Sequence, residues 1–211
     1  PINKIWGVGN KFYQKLHYKK INTAYELTQK SDKWIQTNMS ITGLKMVKEL
    51  RGERCHNVIN KQKLKKSIMT SRTFGNEIND FIELAQAIST YANICAEKLR
   101  QEGSCAKTIH IMIFTNPFKH KNQLNYAGKK KISLSNHTSD SLEIVSSSIK
   151  ALKSIYRNDC LYKKGGVILS DIIPKSETQI SLFGNSLDII KREKLMLTID
   201  KLNNNLGRGK I

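Results

Sequence analysis

The stretch "DFIELAQAISTYANICAEKLRQEGSCAKTIHIMIFT", Asp80 to Thr115, changes its apolar period once, and that change decides the fold. In its first half Phe81, Leu84, Ile88, Tyr91, Cys95 and Leu99 recur at spacings of three and four, the signature of one helix face. Asp80 stands where an N-cap belongs, with Glu83 three residues on to complete a capping box. Gly103 can end the helix, because glycine adopts the left-handed backbone at little cost. From Lys107 to Thr115 the period drops to two, with Ile109, Ile111 and Ile113 on one side, which predicts a strand.

Working outward, residues 67–74 suit a strand before that helix, and Lys130 to Ser135 alternate with Ile132 and Leu134 inward. A second helix is expected after Asp140, with Leu142, Val145, Ile149, Leu152 and Tyr156 on its buried side. Gly165-Gly166 then opens a strand through Val167 and Leu169. The order β-α-β-β-α-β predicts an α+β domain, a four-stranded sheet with two helices on one face. Its other face is left to water or to a ligand.

The flanks read differently. Residues 1–51 form short helical segments, Lys11 to Tyr18, Thr23 to Gln29, one around Trp34 and Thr42 to Leu50, each too short to stand alone. In residues 52–66 the periodicity lapses while Arg54, Lys61, Lys63, Lys65 and Lys66 accumulate, which places a basic linker and a domain boundary there. The second domain is expected over 67–174 and a C-terminal segment over 175–211, where Leu195, Ile199, Leu202 and Leu206 share a helix face.

The 211 residues carry a formal net charge of +19, from 36 basic and 17 acidic side chains. Such an excess repels itself unless it faces an anion, and nucleic acid is the leading candidate. Part of it has a compositional source, since Lys, Asn and Ile are all abundant. Cys55, Cys95, Cys105 and Cys160 form no CxxC pair, so no metal site or disulfide framework is read, and a reducing cytoplasm, with nucleoid association, is the expected location. No run approaches the ~18 apolar residues of a membrane span. His17, His56, His110, His120 and His137 are scattered, with no nucleophile-base arrangement, and no catalytic residue is assigned. Pro1 is not an initiator Met, and both ends are expected to be cut.

Ile5-Trp6-Gly7-Val8-Gly9, followed by a helix bearing Lys11 and Leu16, has the pattern of a helix-hairpin-helix. Glycines there let backbone N–H groups at the next helix start approach a phosphate closely. The alternative is an ordinary tight turn. Trp6 and Trp34 are read as core residues rather than base-stacking platforms. Arg72, Lys65 and Lys66, joined by Lys129, Lys130, Lys131, Lys163 and Lys164, are the expected phosphate contacts, although any one of them could be a solvated charge.

Seven strings occur in one order: "IWGVG" (5–9), "INTAYEL" (21–27), "VKELRGERC" (47–55), "SRTFG" (71–75), "TNPF" (115–118), "KKGGVILSDI" (163–172) and "QISLF" (179–183). In this the chain resembles the UmuC branch of the Y-family of translesion DNA polymerases. The resemblance implies that residues 1–51 are most of a helix-hairpin-helix thumb and 67–174 a DNA-binding little finger. Gln179, Ser181, Leu182 and Phe183 resemble the peptide by which bacterial polymerases bind the sliding clamp, although Leu182 and Phe183 could instead tuck into the chain's own core. Damaged or primer-template DNA is the implied partner, with a UmuD-type subunit and RecA as further ones, and repair, the SOS response and error-prone synthesis as the implied setting. The palm, with its carboxylates for two Mg2+ ions, would lie upstream of Pro1, so no cofactor is expected in this segment and no polymerase activity from it alone. The rival readings are a non-enzymatic DNA-binding or clamp-competing module and a helix-hairpin-helix glycosylase or nuclease. The latter leaves the β-α-β-β-α-β half unexplained.

Overall fold

The computed structural model describes residues 1–57, 64–118, 125–178 and 186–207, excepting the side chains of 186–190. The chain divides into two compact units, Pro1–Gln62 and Lys63–Ile211.

In the first unit a 3-10 turn at Ile2–Lys4 precedes α1 (Asn10–Tyr18), α2 (Ala24–Thr28) and α3 (Asp32–Leu50). The short helices start where hydroxyls can cap them: Thr23 Oγ1 accepts from the Glu26 N–H at 3.2 Å, and Ser31 Oγ from the Trp34 N–H at 3.3 Å. Glu26 reaches back past the cap to accept the Asn22 N–H at 2.7 Å. Ile2, Val8, Leu16, Ile21, Leu27, Ile35, Met39 and Val47 form the core. α3 is broken at Ser40, whose φ of 69° lies in the left-handed region. The break explains why the sequence reads as two helices there, around Trp34 and over Thr42 to Leu50. It also makes Gly43 obligatory, because a Cβ at that position would lie 2.4 Å from Met39 Cβ. At the end of α3 the Arg51 guanidinium donates to Asp32 Oδ1 at 2.5 Å, to Thr28 O at 2.9 Å and to Lys30 O, which fastens the α2–α3 connection. These contacts, Arg51 first, hold the Asp32 carboxyl below its ordinary pKa.

The second unit has the expected β-α-β-β-α-β order: β1 (Ser67–Ile78), α4 (Phe81–Gln101), β2 (Ser104–Thr115), β3 (Ala127–Thr138), α5 (Ser141–Ile155) and β4 (Tyr162–Pro174), followed by α6 (Ser186–Leu206). The sheet is antiparallel throughout, in the order β1-β4-β2-β3. Asp80 caps α4 by accepting the Glu83 N–H at 2.8 Å, and Gly103 beyond its end has φ +59°. Leu84, Ile88, Cys95 and Leu99 of α4 are buried against Ile109, Ile111 and Ile113 of β2 and Val167 and Leu169 of β4. At one end of the sheet Tyr162 is fully buried, its hydroxyl donating to Arg157 O at 3.0 Å and accepting the Arg157 N–H at 2.7 Å. Burial pushes its pKa up to about 12.

Three sequence readings are corrected in part. In α5 Leu142 is exposed, whereas Leu152 is buried as expected and Val145, Ile149 and Tyr156 pack half-buried on the core; the buried face also takes in Ile144, Ser148, Ala151 and Ile155. Ser148 is the reason: it sits in the core with its hydroxyl donating to Ile144 O at 2.7 Å, so a count of apolar letters passes over it. In α6 Leu195, Leu202 and Leu206 face solvent, while Met196 is buried. Arg100 takes both carboxylate oxygens of Asp200, at 2.6 and 2.7 Å, and Asp200 lies one turn from Met196, so this pair sets the rotation of the helix. The third is Trp6, which is 93% exposed rather than in the core; Trp34 is half-buried and packs on it. No helix among the described residues is long and apolar enough to cross a membrane.

Candidate nucleic-acid interface

Two surfaces carry the residues singled out from the sequence. On the first unit, Gly7 has φ +93°, a conformation that a Cβ would strain, and Gly9 is the N-cap of α1. α1 has no side-chain cap and no acidic residue in its first turn, so its leading N–H groups and dipole are left uncompensated by side chains. Val8 is buried in the unit's core, and its N–H is engaged by Ile5 O at 3.0 Å. Lys11 is exposed on the first turn of α1.

On the second unit α4 and α5 cover one face of the sheet, and alternation sends every second side chain to the other. The register lines these up in rows. Met69, Ile168, His110 and Lys131 form one, Ser71, Gly166, Met112 and Lys129 the next, and Thr73, Lys164, Phe114 and Ala127 the third. The open face thus has an apolar middle of Met69, Ile168, Met112 and Phe114, and Lys129, Lys131 and Lys164 standing in it. Met69 is 45% exposed. The Lys129 ammonium lies 5.6 Å from the centre of the Phe114 ring. At the middle of the face His110 Nε2 meets Ser170 Oγ at 2.9 Å, and burial, helped by Lys131, lowers its pKa. Gly166 lets β1 and β4 pair closely, since a Cβ there would come within 2.5 Å of Ser71 Cβ.

The expected basic set is therefore divided. Lys129, Lys131 and Lys164 share the open face. Lys130 and Arg72 fall on the alternate positions, in register with Ile111 and Gly165, on the side that bears the helices. Arg72 there acts electrostatically on Tyr91 of α4. A run of three lysines in a strand cannot point one way, because the side-chain period is two. Lys163 Nζ donates to Gly75 O at 2.8 Å, Lys65 pairs with Glu102, and Lys66 is exposed. Lys61, Lys63, Gln179, Ser181, Leu182 and Phe183 lie outside the described residues. Charge alone does not reveal the apolar middle of the open face. Its signal was present in "TIHIMIFT", where His110, Met112 and Phe114 interleave with the buried isoleucines, giving a strand that is apolar on both sides.

The C-terminal domain of the impB/mucB/samB family matches residues 65–182. The chain belongs to this family. It is 34% identical over 99% of its length to Protein UmuC of Salmonella typhimurium strain LT2, and 35% identical over its whole length to Protein ImpB of Salmonella typhimurium. A more distant likeness, 31% over 113 residues, joins 54% of the chain to 32% of DNA polymerase IV of Staphylococcus saprophyticus. The UmuC-type resemblance read from the seven strings is thereby borne out along the chain. This impB/mucB/samB member spans about half, 49%, of the length of UmuC and of ImpB.

Proposed function

We propose that this impB/mucB/samB chain is the DNA-holding portion of an error-prone, UmuC-type polymerase acting in translesion synthesis, with the first unit as thumb and the second as little finger. The observation that carries the reading is the open face of the sheet. One side of the sheet is filled by α4 and α5, whereas the other presents Lys129, Lys131 and Lys164 around exposed Met69 and half-buried Ile168, Met112 and Phe114. Lysines at that spacing suit phosphates, and contacts to phosphate hold DNA of any sequence. The Gly7 to Gly9 turn and the start of α1 add backbone N–H groups of the kind that donate to a phosphate oxygen. Gln179, Ser181, Leu182 and Phe183 tether the chain to the sliding clamp in this reading, Leu182 and Phe183 as apolar anchors.

The test is a titration of the whole chain against primer-template DNA at several salt concentrations. Affinity is expected to fall steeply with salt and to vary little with sequence. A flat salt response, or a sharp preference for one sequence, would overturn the reading.

A further inference from the structure

Trp6 is 93% exposed, yet it does not sit on a loose segment. The Ile5 N–H donates to Ile2 O at 3.2 Å and the Val8 N–H to Ile5 O at 3.0 Å, while the Ile2 N–H donates to Asn22 O at 2.9 Å. Ile5 and Val8, on either side, pack into the core of the unit. Gly7 rests against α3, where a Cβ would lie 3.3 Å from Met46 Sδ. The turn is fixed, and it holds the largest side chain available out in water. Trp34, the other tryptophan, shows the contrast. It is half-buried, with Lys19 and Lys30 ammonium groups 5.8 and 5.9 Å from its ring centre. Among the described residues no such contact is made to Trp6.

The chain segment that carries Trp6 has charge of one sign. Residues 1–25 contain Lys4, Lys11, Lys15, Lys19 and Lys20 and no carboxylate side chain, the first being Glu26. A rigid aromatic ring in such a field fits a partner that is anionic and also has apolar ring surface. Nucleic acid joins the two, with phosphates for the lysines and sugar and base surface for the indole.

We propose that Trp6 is a DNA contact of the first unit, its indole lying against deoxyribose and base surface of a strand whose phosphates the neighbouring lysines attract. This rests on the DNA-holding reading and adds to it a contact that carries no charge. Because Trp6 buries nothing in the free protein, its removal leaves the fold intact and weakens DNA binding.

The chain contains two tryptophans, so Trp34→Phe leaves Trp6 as the sole indole reporter. In the whole chain, primer-template DNA is expected to quench Trp6 emission saturably and to shield it from acrylamide. Trp6→Ala is expected to weaken DNA binding on the order of tenfold, within the range for a lost base-aromatic contact, and Trp6→Phe by less. The salt slope should be the same in Trp6→Ala as in wild type, because no phosphate contact is lost. Should Trp34→Phe fail to fold, the difference between wild-type and Trp6→Ala emission reads the same ring. Salt-dependent DNA binding with unchanged Trp6 emission and equal affinity for Trp6→Ala would overturn this inference and leave the DNA-holding reading standing. Absence of DNA binding by the wild-type chain would overturn both. A Trp6 response to phosphatidylserine vesicles but not to DNA would make the residue a membrane-surface contact and overturn the inference as well.

Discussion

Replacing Lys129, Lys131 and Lys164 by Gln tests which face of the sheet holds DNA. The three lie on the open face in adjoining rows, so each can neutralise its own phosphate. Counterion release gives a slope of about −0.9 in log K against log salt per neutralised phosphate of duplex DNA, so the triple variant should lose about 2.7 from the slope. Between about 50 and about 200 mM salt these contacts account for a roughly fortyfold share of the loss of affinity. Fluorescence anisotropy with labelled primer-template, at four or more salt concentrations, measures the slope directly. Arg72→Gln with Lys130→Gln is the control, since both residues are basic and stand beside open-face positions, Lys130 between Lys129 and Lys131 and Arg72 between Ser71 and Thr73, but point to the helix-bearing side. The control should keep most of the wild-type slope. If the triple variant keeps the wild-type slope, or the control loses as much, the open face is not the surface that meets phosphate.

Three further outcomes are expected. Gly43→Ala should lower the unfolding midpoint of the first unit, costing about 1–3 kcal/mol, because the added Cβ would meet Met39 Cβ at 2.4 Å; an unchanged midpoint in thermal unfolding followed by circular dichroism would mean that the break at Ser40 relaxes freely. The Asp32 carboxyl has a folded pKa below its unfolded value, so the stability due to its Arg51 contact is present above the unfolded pKa, about 3.9, and is lost as pH falls through the folded one. Arg51→Met should therefore be less stable than wild type at neutral pH, with the gap narrowing below about pH 4, and a gap independent of pH would show that Arg51 acts through the Thr28 and Lys30 carbonyls alone. Leu182→Ala with Phe183→Ala should remove most binding to sliding clamp in calorimetric titration while leaving DNA affinity unchanged, and equal clamp affinities would reject the tether.

The legible parts of this fold are those where one physical signal acts alone. Asp80 and Glu83 mark the start of α4 because a carboxylate one turn ahead of free N–H groups has one good use, and Leu84, Ile88, Cys95 and Leu99 form its buried face. Ile109, Ile111 and Ile113 place β2 by alternation. Reading fails where a polar atom decides. Ser148 occupies a core position by bonding its own helix, which shifts the face of α5 away from Leu142. Asp200 turns α6 through an arginine one hundred residues away in sequence, and no period within the helix reports that. Trp6 departs from its expected place for a related reason. Its size argues for burial, whereas the turn hydrogen bonds of Ile5 and Val8 fix which side chains enter the core. In the candidate interface the lysines were visible as letters, but their division between two faces needed the register, and the apolar middle of the open face lay behind the buried isoleucines of the same strand.

That apolar middle bears on how a protein could hold DNA without reading it. Base recognition needs directional donors and acceptors aimed at base edges. Met69, Ile168, Met112 and Phe114 supply none, and the one imidazole among them, His110, already has its Nε2 engaged with Ser170 Oγ at 2.9 Å. Its lowered pKa keeps the ring neutral at physiological pH, so it adds no fixed charge at the centre of the face. Attraction then comes from Lys129, Lys131 and Lys164, which grip phosphates through mobile side chains without regard to sequence. The apolar middle can lie against sugar surface and slide across it, since such contact has no register to lose. On the proposed reading this separation of roles suits a protein that must advance along a template whose bases are damaged. A planar, directional donor such as Arg replacing Ile168 or Met112 would break that separation, tightening binding while hindering movement from one nucleotide to the next.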